Sequence, residues 1–186
     1  ASSAYLLTNN GQGVFTNQTP SRLPTIPNPA LITDAVFCDV NKDNYLDLIL
    51  TYSSGQSLRL LLNDGYGKFN DATNANIPAV FGNAVSLDSG DANGDGSPDI
   101  IIANKTSRDI LLINDGSGIF SIDTNFNLPG VIDGSSDIQF ADVDGDGNLD
   151  IVTTNNGIIG ASSLRNRVYM NNGEGQFTDN TANLLP

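Results

Sequence analysis

The 186 residues contain no tryptophan and no histidine, and only one cysteine, one methionine and one glutamate, Glu174. Each shortage excludes something. Without histidine there is no Ser-His-Asp or Cys-His arrangement, and no G-x-S-x-G elbow occurs either. A zinc site lacks donors, because Cys38 stands alone in "AVFCDV", outside any ligand pattern. Cys38 can form no intramolecular disulfide, and its apolar surroundings read as a buried, inert thiol. No stretch approaches the roughly 18 apolar residues of a membrane span, so no membrane insertion is expected. There is no signal peptide and no initiator methionine, which reads as a mature or trimmed chain. Basic residues are also scarce, 8 against 21 acids for a net charge of −13, and none are clustered. Nucleic acid is therefore not expected as a partner.

What is present is folded protein. Hydrophobic residues make up 39%, with 8 Phe and 5 Tyr, whereas disordered acidic segments lack aromatics and use Glu freely. Here twenty of the 21 acids are Asp.

The sequence also repeats itself. "LLTNNGQGVF" (6–15), "LLLNDGYGKF" (60–69), "LLINDGSGIF" (111–120) and "VYMNNGEGQF" (168–177) are one motif, with closing Phe residues 54, 51 and 57 positions apart. Nine-residue Asp loops keep the same beat: "DVNKDNYLD" (39–47), "DANGDGSPD" (91–99) and "DVDGDGNLD" (142–150). So do Leu23-Pro24, Ile77-Pro78, Leu128-Pro129 and Leu185-Pro186. Three motifs in fixed order at a period near fifty define a repeat protein. The runs "LDLILTY", "PDIIIAN" and "LDIVTTN" after the loops read as strands, and the Asx-Gly segments as tight hairpins. Each unit is then about four antiparallel strands, which predicts an all-β, β-propeller-type array. Four hairpins but three Asp loops give a half-blade (1–24) and three blades (25–78, 79–129 and 130–186), about three and a half blades. One chain of this kind does not close a ring. Its open edges call for other copies of itself or the rest of a longer chain.

The Asp loops hold ten of the 21 acids. Oxygen-bearing side chains stand at positions 1, 3, 5 and 9: Asp39, Asn41, Asp43 and Asp47; Asp91, Asn93, Asp95 and Asp99; Asp142, Asp144, Asp146 and Asp150. At position 7, Tyr45, Ser97 and Asn148 can each offer a backbone carbonyl. A hard cation takes six to eight such oxygens, and an all-protein cage suits Ca²⁺ better than Mg²⁺. Solvated turns without metal are the alternative. Three calcium sites are expected, ranked by charge, with loop 39–47 the weakest because Lys42 lies inside it and Asn44 replaces the turning glycine.

These loops and hairpins resemble the FG-GAP/VCBS repeat family, the propeller units of integrin α-subunits and of many secreted bacterial proteins. The resemblance covers nearly the whole chain and implies calcium between the first and second strands of each blade. It also implies an adhesive, carbohydrate-binding or scaffold role. The expectation is an extracellular or cell-surface, calcium-stabilised module that is structural, self-assembling or adhesive, and not an enzyme. Asp64 and Asp115, outside the loops, are read as turn residues. The alternative is a lectin-like module that binds glycans, with Tyr5, Tyr52, Tyr66, Phe81 or Phe126 as platforms and the insertion 155–166 as a contact loop. "NQT" (17–19) and "NKT" (104–106) match the glycosylation pattern, with turn roles preferred.

Overall fold

The computed structural model describes residues 4–26, 31–124, 134–156 and 165–185. Phe126, Leu128-Pro129, Pro186 and most of the insertion 155–166 lie outside the described residues.

The first unit is a hairpin of β1 (Leu7–Asn9) and β2 (Phe15–Asn17), followed by the one-turn helix α1 (Thr19–Arg22). Next comes a four-stranded sheet of β3 (Ile32–Cys38), β4 (Asp47–Tyr52), β5 (Leu58–Asn63) and β6 (Phe69–Asp71), closed by α2 (Thr73–Asn76). The second sheet holds β7 (Ala84–Gly90), β8 (Asp99–Asn104), β9 (Ile110–Asn114) and β10 (Phe120–Ile122). The third holds β11 (Ser135–Ala141), β12 (Asp150–Asn155), β13 (Arg167–Asn171) and β14 (Phe177–Asp179), then α3 (Thr181–Leu184). Each sheet is an antiparallel meander in chain order, the arrangement of a propeller blade. Among the described residues the blades stack in sequence and do not close into a ring.

The second strand of each blade explains the apolar runs. Successive side chains in a strand face opposite ways, and β4 and β8 are buried on both faces. Leu48, Leu50 and Tyr52 pack toward the first hairpin, on Leu6, Leu23 and Ile26. Ile49 packs the other way, with Ile100 and Ile102 of the next blade. Ile101 and Ala103 meet Ile138, Ile151 and Tyr169 of the last. The cores therefore lie between blades, and no blade buries its own faces alone.

The first strands β3, β7 and β11 lie side by side. Each carries a bulge at the same place, between Ile32 and Asp34, Ala84 and Ser86, and Ser135 and Asp137. A bulge re-aims the residue that follows. Here it brings Ser86 Oγ to 3.0 Å from Asp34 Oδ2 and 2.7 Å from Asp137 Oδ1, which links all three blades.

The one-turn helices are too short for periodicity to show in the sequence. Their first residues hold them in place: the hydroxyls of Thr19, Thr73 and Thr181 accept the backbone N–H groups of Leu6, Leu60 and Val168 at 2.8, 3.1 and 3.1 Å.

Candidate metal centre

The three Asp loops follow one backbone path. The first carboxylate of each gathers backbone N–H groups across the turn. Asp39 accepts from Asp43 and Asn44, Asp91 from Gly94, Asp95 and Gly96, and Asp142 from Gly145 and Gly147, at 2.7–3.1 Å. The fifth-position carboxylates Asp43, Asp95 and Asp146 accept the N–H of Tyr45, Ser97 and Asn148 at 2.8, 2.7 and 2.8 Å. Such wrapping requires left-handed backbone at positions 4 and 6. Glycine supplies it in the second and third loops, with φ of 76–91° at Gly94, Gly96, Gly145 and Gly147. In the first loop Lys42 (φ 59°) and Asn44 (φ 69°) take its place. The need at position 4 is a feature that the sequence reading missed; the glycines aligned with Lys42 were its signal.

The last carboxylates, Asp47, Asp99 and Asp150, are buried. One oxygen of each accepts the N–H of position 2, from Val40, Ala92 and Val143 at 3.1, 3.0 and 2.9 Å. The other accepts the N–H of Asn63, Asn114 and Asn171 at 2.8, 2.9 and 2.9 Å. These residues pin loop to strand, and each oxygen still keeps a second lone pair for a cation.

Among the described residues, three carboxylates converge in the third loop alone: oxygens of Asp142, Asp144 and Asp146, all exposed, lie within 4.8 Å of one another. Asp150 stands outside that trio. In the other two loops the position-3 amides Asn41 and Asn93 donate to Asp43 and Asp95, both at 2.9 Å. An all-oxygen, acid-rich donor set suits a hard divalent cation.

The hairpins connect the loops to each other. Asn114 Nδ2 donates to the carbonyl of Val40 in the preceding blade (2.8 Å) and to Pro98 in its own (3.1 Å). Asn171 does the same with Ala92 (2.8 Å) and Leu149 (2.9 Å). The first and second Asp loops thus each touch the hairpin of the following blade. Sequence reasoning took these asparagines as turn formers only.

The electrostatics follow burial. Loss of hydration raises the Asp99 carboxyl to about 6, against the N–H groups of Asn114 and Ala92, with Asp95 and Asp91 adding repulsion. Asp47 is raised for the same reasons. Asp64 lies below its ordinary range because the N–H groups of Tyr66 and Lys68 bond it, and Asp115 because of Ser117, so both act in turns. Cys38 is half-buried rather than buried, and loss of hydration raises its thiol. Of the candidate aromatic platforms, Tyr5, Tyr66 and Phe81 are exposed, whereas Tyr52 is packed inside. Asn17 and Asn104 both serve turns: Asn17 accepts the N–H of Thr19, and the buried Asn104 donates its amide to the Arg108 carbonyl.

A family model described as FG-GAP-like repeat matches residues 39–102 and again 91–153, together more than half of the chain. No curated protein matches the sequence significantly. Among solved structures, a lectin of Agrocybe aegerita, described as recognising non-reducing terminal N-acetylglucosamine, is similar with a TM-score of 0.54 at 20% identity. The similarity covers 94% of this chain, which spans 45% of the lectin's length.

Proposed function

Because the chain belongs to the FG-GAP-like repeat family, we propose that it is a calcium-stabilised repeat module that works outside the cell by assembly or adhesion, without catalysis. The observation that carries this reading is the convergence of Asp142, Asp144 and Asp146, which repel one another until a cation sits among them. Loops 91–99 and 39–47 would hold the second and third ions, more weakly. Because Asn114 and Asn171 tie loops 39–47 and 91–99 to the neighbouring blade, a cation that stiffens either of these two loops also stiffens the stack. At free calcium about ten times Kd, each site would add about 1.4 kcal/mol. Sites of extracellular modules, with Kd near 10⁻⁴–10⁻³ M, fill only outside the cytosol. The partners would be further copies or further blades.

The test is solution mass by light scattering together with thermal melting, in millimolar calcium and after chelation. Assemblies that dissociate on chelation, with a lowered Tm, support the reading. Identical melts in both conditions overturn the calcium part.

A second reading is carbohydrate binding. It is supported by the fold shared with a lectin and by a polar cleft beside Tyr52, at the end of the blade opposite the Asp loop. A monomer unaffected by chelation would favour it over assembly.

A further inference from the structure

Two sets of repeat positions are buried inside the stack but open at its ends. Leu7 and Phe15 of the first hairpin are 52% and 61% exposed. Their counterparts Leu61 and Phe69, and Leu112 and Phe120, are buried against the preceding unit. On the third blade the opposite face lies open. Val143 is exposed where Val40 and Ala92 are fully buried, and Val152 is half-buried where Ile49 and Ile101 are fully buried. Leu184 is exposed where the aligned Arg22 and Asn76 reach the carbonyls of Gly67 and Gly118 in the following unit.

The two faces are complementary. At both blade junctions a hairpin asparagine donates to the carbonyl at position 2 of the preceding loop, Asn114 to Val40 and Asn171 to Ala92. The aligned residue of the first hairpin is Asn9. Its Oδ1 accepts the N–H groups of Gly11 and Gly13, as Asn114 Oδ1 accepts those of Gly116 and Gly118. Among the described residues its amide nitrogen has no acceptor. Val40 packs onto Gly118, 3.2 Å from where a Cβ would stand, and the aligned Gly13 has open space there. Charge agrees as well. Asp115 belongs to the hairpin that meets loop 39–47, whose Lys42 ammonium lies 3.7 Å from the Cβ position of Gly116. In the first hairpin Asn10 replaces that aspartate, and residues 9–13 carry no charge. A neutral hairpin suits the most acidic loop, 142–150, because like charges across a contact are costly.

We propose that the first hairpin of one copy docks on the open face of the third blade of a second copy, repeating the junction between consecutive blades. The proposal rests on the assembly reading and gives it a surface. Leu7 and Phe15 cover Val152, Gly13 receives Val143, and Asn9 donates to the Val143 carbonyl. A hairpin fits better than a whole blade because the inner part of the open face is polar. Gln139 and Thr154 are exposed there, and Gln139 replaces Asp88, whose carboxylate accepts the N–H of Phe140 in the following first strand. The contact is heterologous, so it propagates from copy to copy unless the rotation closes a ring.

The experiment is sedimentation velocity on the full chain in millimolar calcium, comparing the wild type with Leu7→Asp and Val152→Asp. The first variant blocks the hairpin face and the second the blade face. Expected are wild-type species that grow with concentration, and self-association weakened at least about tenfold in each variant alone. An equal mixture of the two variants should give a dimer and nothing larger, because one intact face remains on each. If Val152→Asp fails to fold, Leu184→Asp takes its place. Variants that assemble like the wild type overturn these faces and leave the assembly reading standing. Variants that are monomeric alone and stay so when mixed overturn the pairing of the two faces. A wild type that is monomeric up to about 1 mM, the weak end of specific association, overturns both the pairing and self-assembly, and leaves the two faces to further blades of a longer chain.

Discussion

Loops 39–47 and 142–150 trace the same path with different chemistry, and the difference shows what each requires. In the first loop Asn41 donates its amide to Asp43, so part of the carboxylate charge is satisfied within the chain. In the third, Asp144 occupies that position and an amide reaches Asp146 only from Asn148, at 2.8 Å, so three carboxylates face one another. The backbone runs the other way. Gly145 and Gly147 adopt the left-handed conformation freely, whereas Lys42 and Asn44 must be held in it. Their settings differ as well. Val40 is fully buried and packs near Gly118 of the next blade, while Val143 is 41% exposed. The first loop is strained but internally compensated. The third is relaxed and carries one more converging carboxylate, so it should be the one that depends most on a cation.

The largest test of that contrast is Asp150→Ala. It strips the acceptor from the N–H groups of Val143 and Asn171, and should cost about 3 kcal/mol even in chelator. In calcium the loss should be greater, because a cation ligand goes as well. Asp47→Ala should show a smaller difference between the two conditions. Equal losses for Asp150→Ala with and without calcium, by chemical denaturation, would leave it a backbone pin and remove it from the ligand set.

The next test is pH. Asp99 is raised in the folded state from 3.8 to about 6. The stability this contributes is fully present below pH 3.8 and is lost as pH rises through about 6 in calcium-free protein. Calcium needs the carboxylate, so affinity at loop 91–99 should fall up to about tenfold per pH unit below that value. Calorimetry across this window, with proton release measured in two buffers, checks both signs.

Much of this was legible in the sequence, because a repeat is read by comparing copies. The Asp loops, the Asx-Gly hairpins and the four strands per unit recur at matched positions, and those positions are where the strands and turns lie. What escaped the reading has two origins. Some of it is tertiary: that Asn114 reaches the carbonyl of Val40, or that Asp47 is buried as a pin, depends on how blades stack, which no local pattern encodes. The rest was present but unweighed. A threonine stands four residues after each closing Phe, at Thr19, Thr73, Thr124 and Thr181, and three of these start one-turn helices. Tyr52 was taken as a platform for sugars, but its ring is core.

A charge swap between loops sharpens the comparison directly. Asp144→Asn makes the third loop resemble the second, and should weaken its calcium affinity about tenfold, the scale of one nearby charge at partly screened distances. Asn41→Asp should strengthen the first loop in calcium but destabilise it in chelator, because the amide bond to Asp43 is replaced by repulsion. Titration calorimetry of both variants tests the pair. A change in the same direction for the two would mean that charge at position 3 does not set the order of the sites.

The smallest effect isolates strain from charge. Lys42→Gly relieves a left-handed lysine, a conformation that costs a side-chain-bearing residue roughly 1–2 kcal/mol, while glycine's added freedom in the unfolded chain takes back part of that gain. It also removes an ammonium that reaches across to Gly116 of the next blade and helps Asp95 stay ionised. Asp95 is brought below its ordinary range against the pull of burial, by bonds from Ser97 and Asn93 before Lys42. The lost charge is therefore a minor contribution, as exposed pairs generally are. The net should be a gain of about 0.5 kcal/mol in chelator, and a tighter first site in calcium. Asn44→Gly should gain less, since asparagine tolerates the conformation. If Lys42→Gly instead destabilises the calcium-free protein, the ammonium is holding two blades together, and the first loop keeps its lysine in place of the ion proposed for the third.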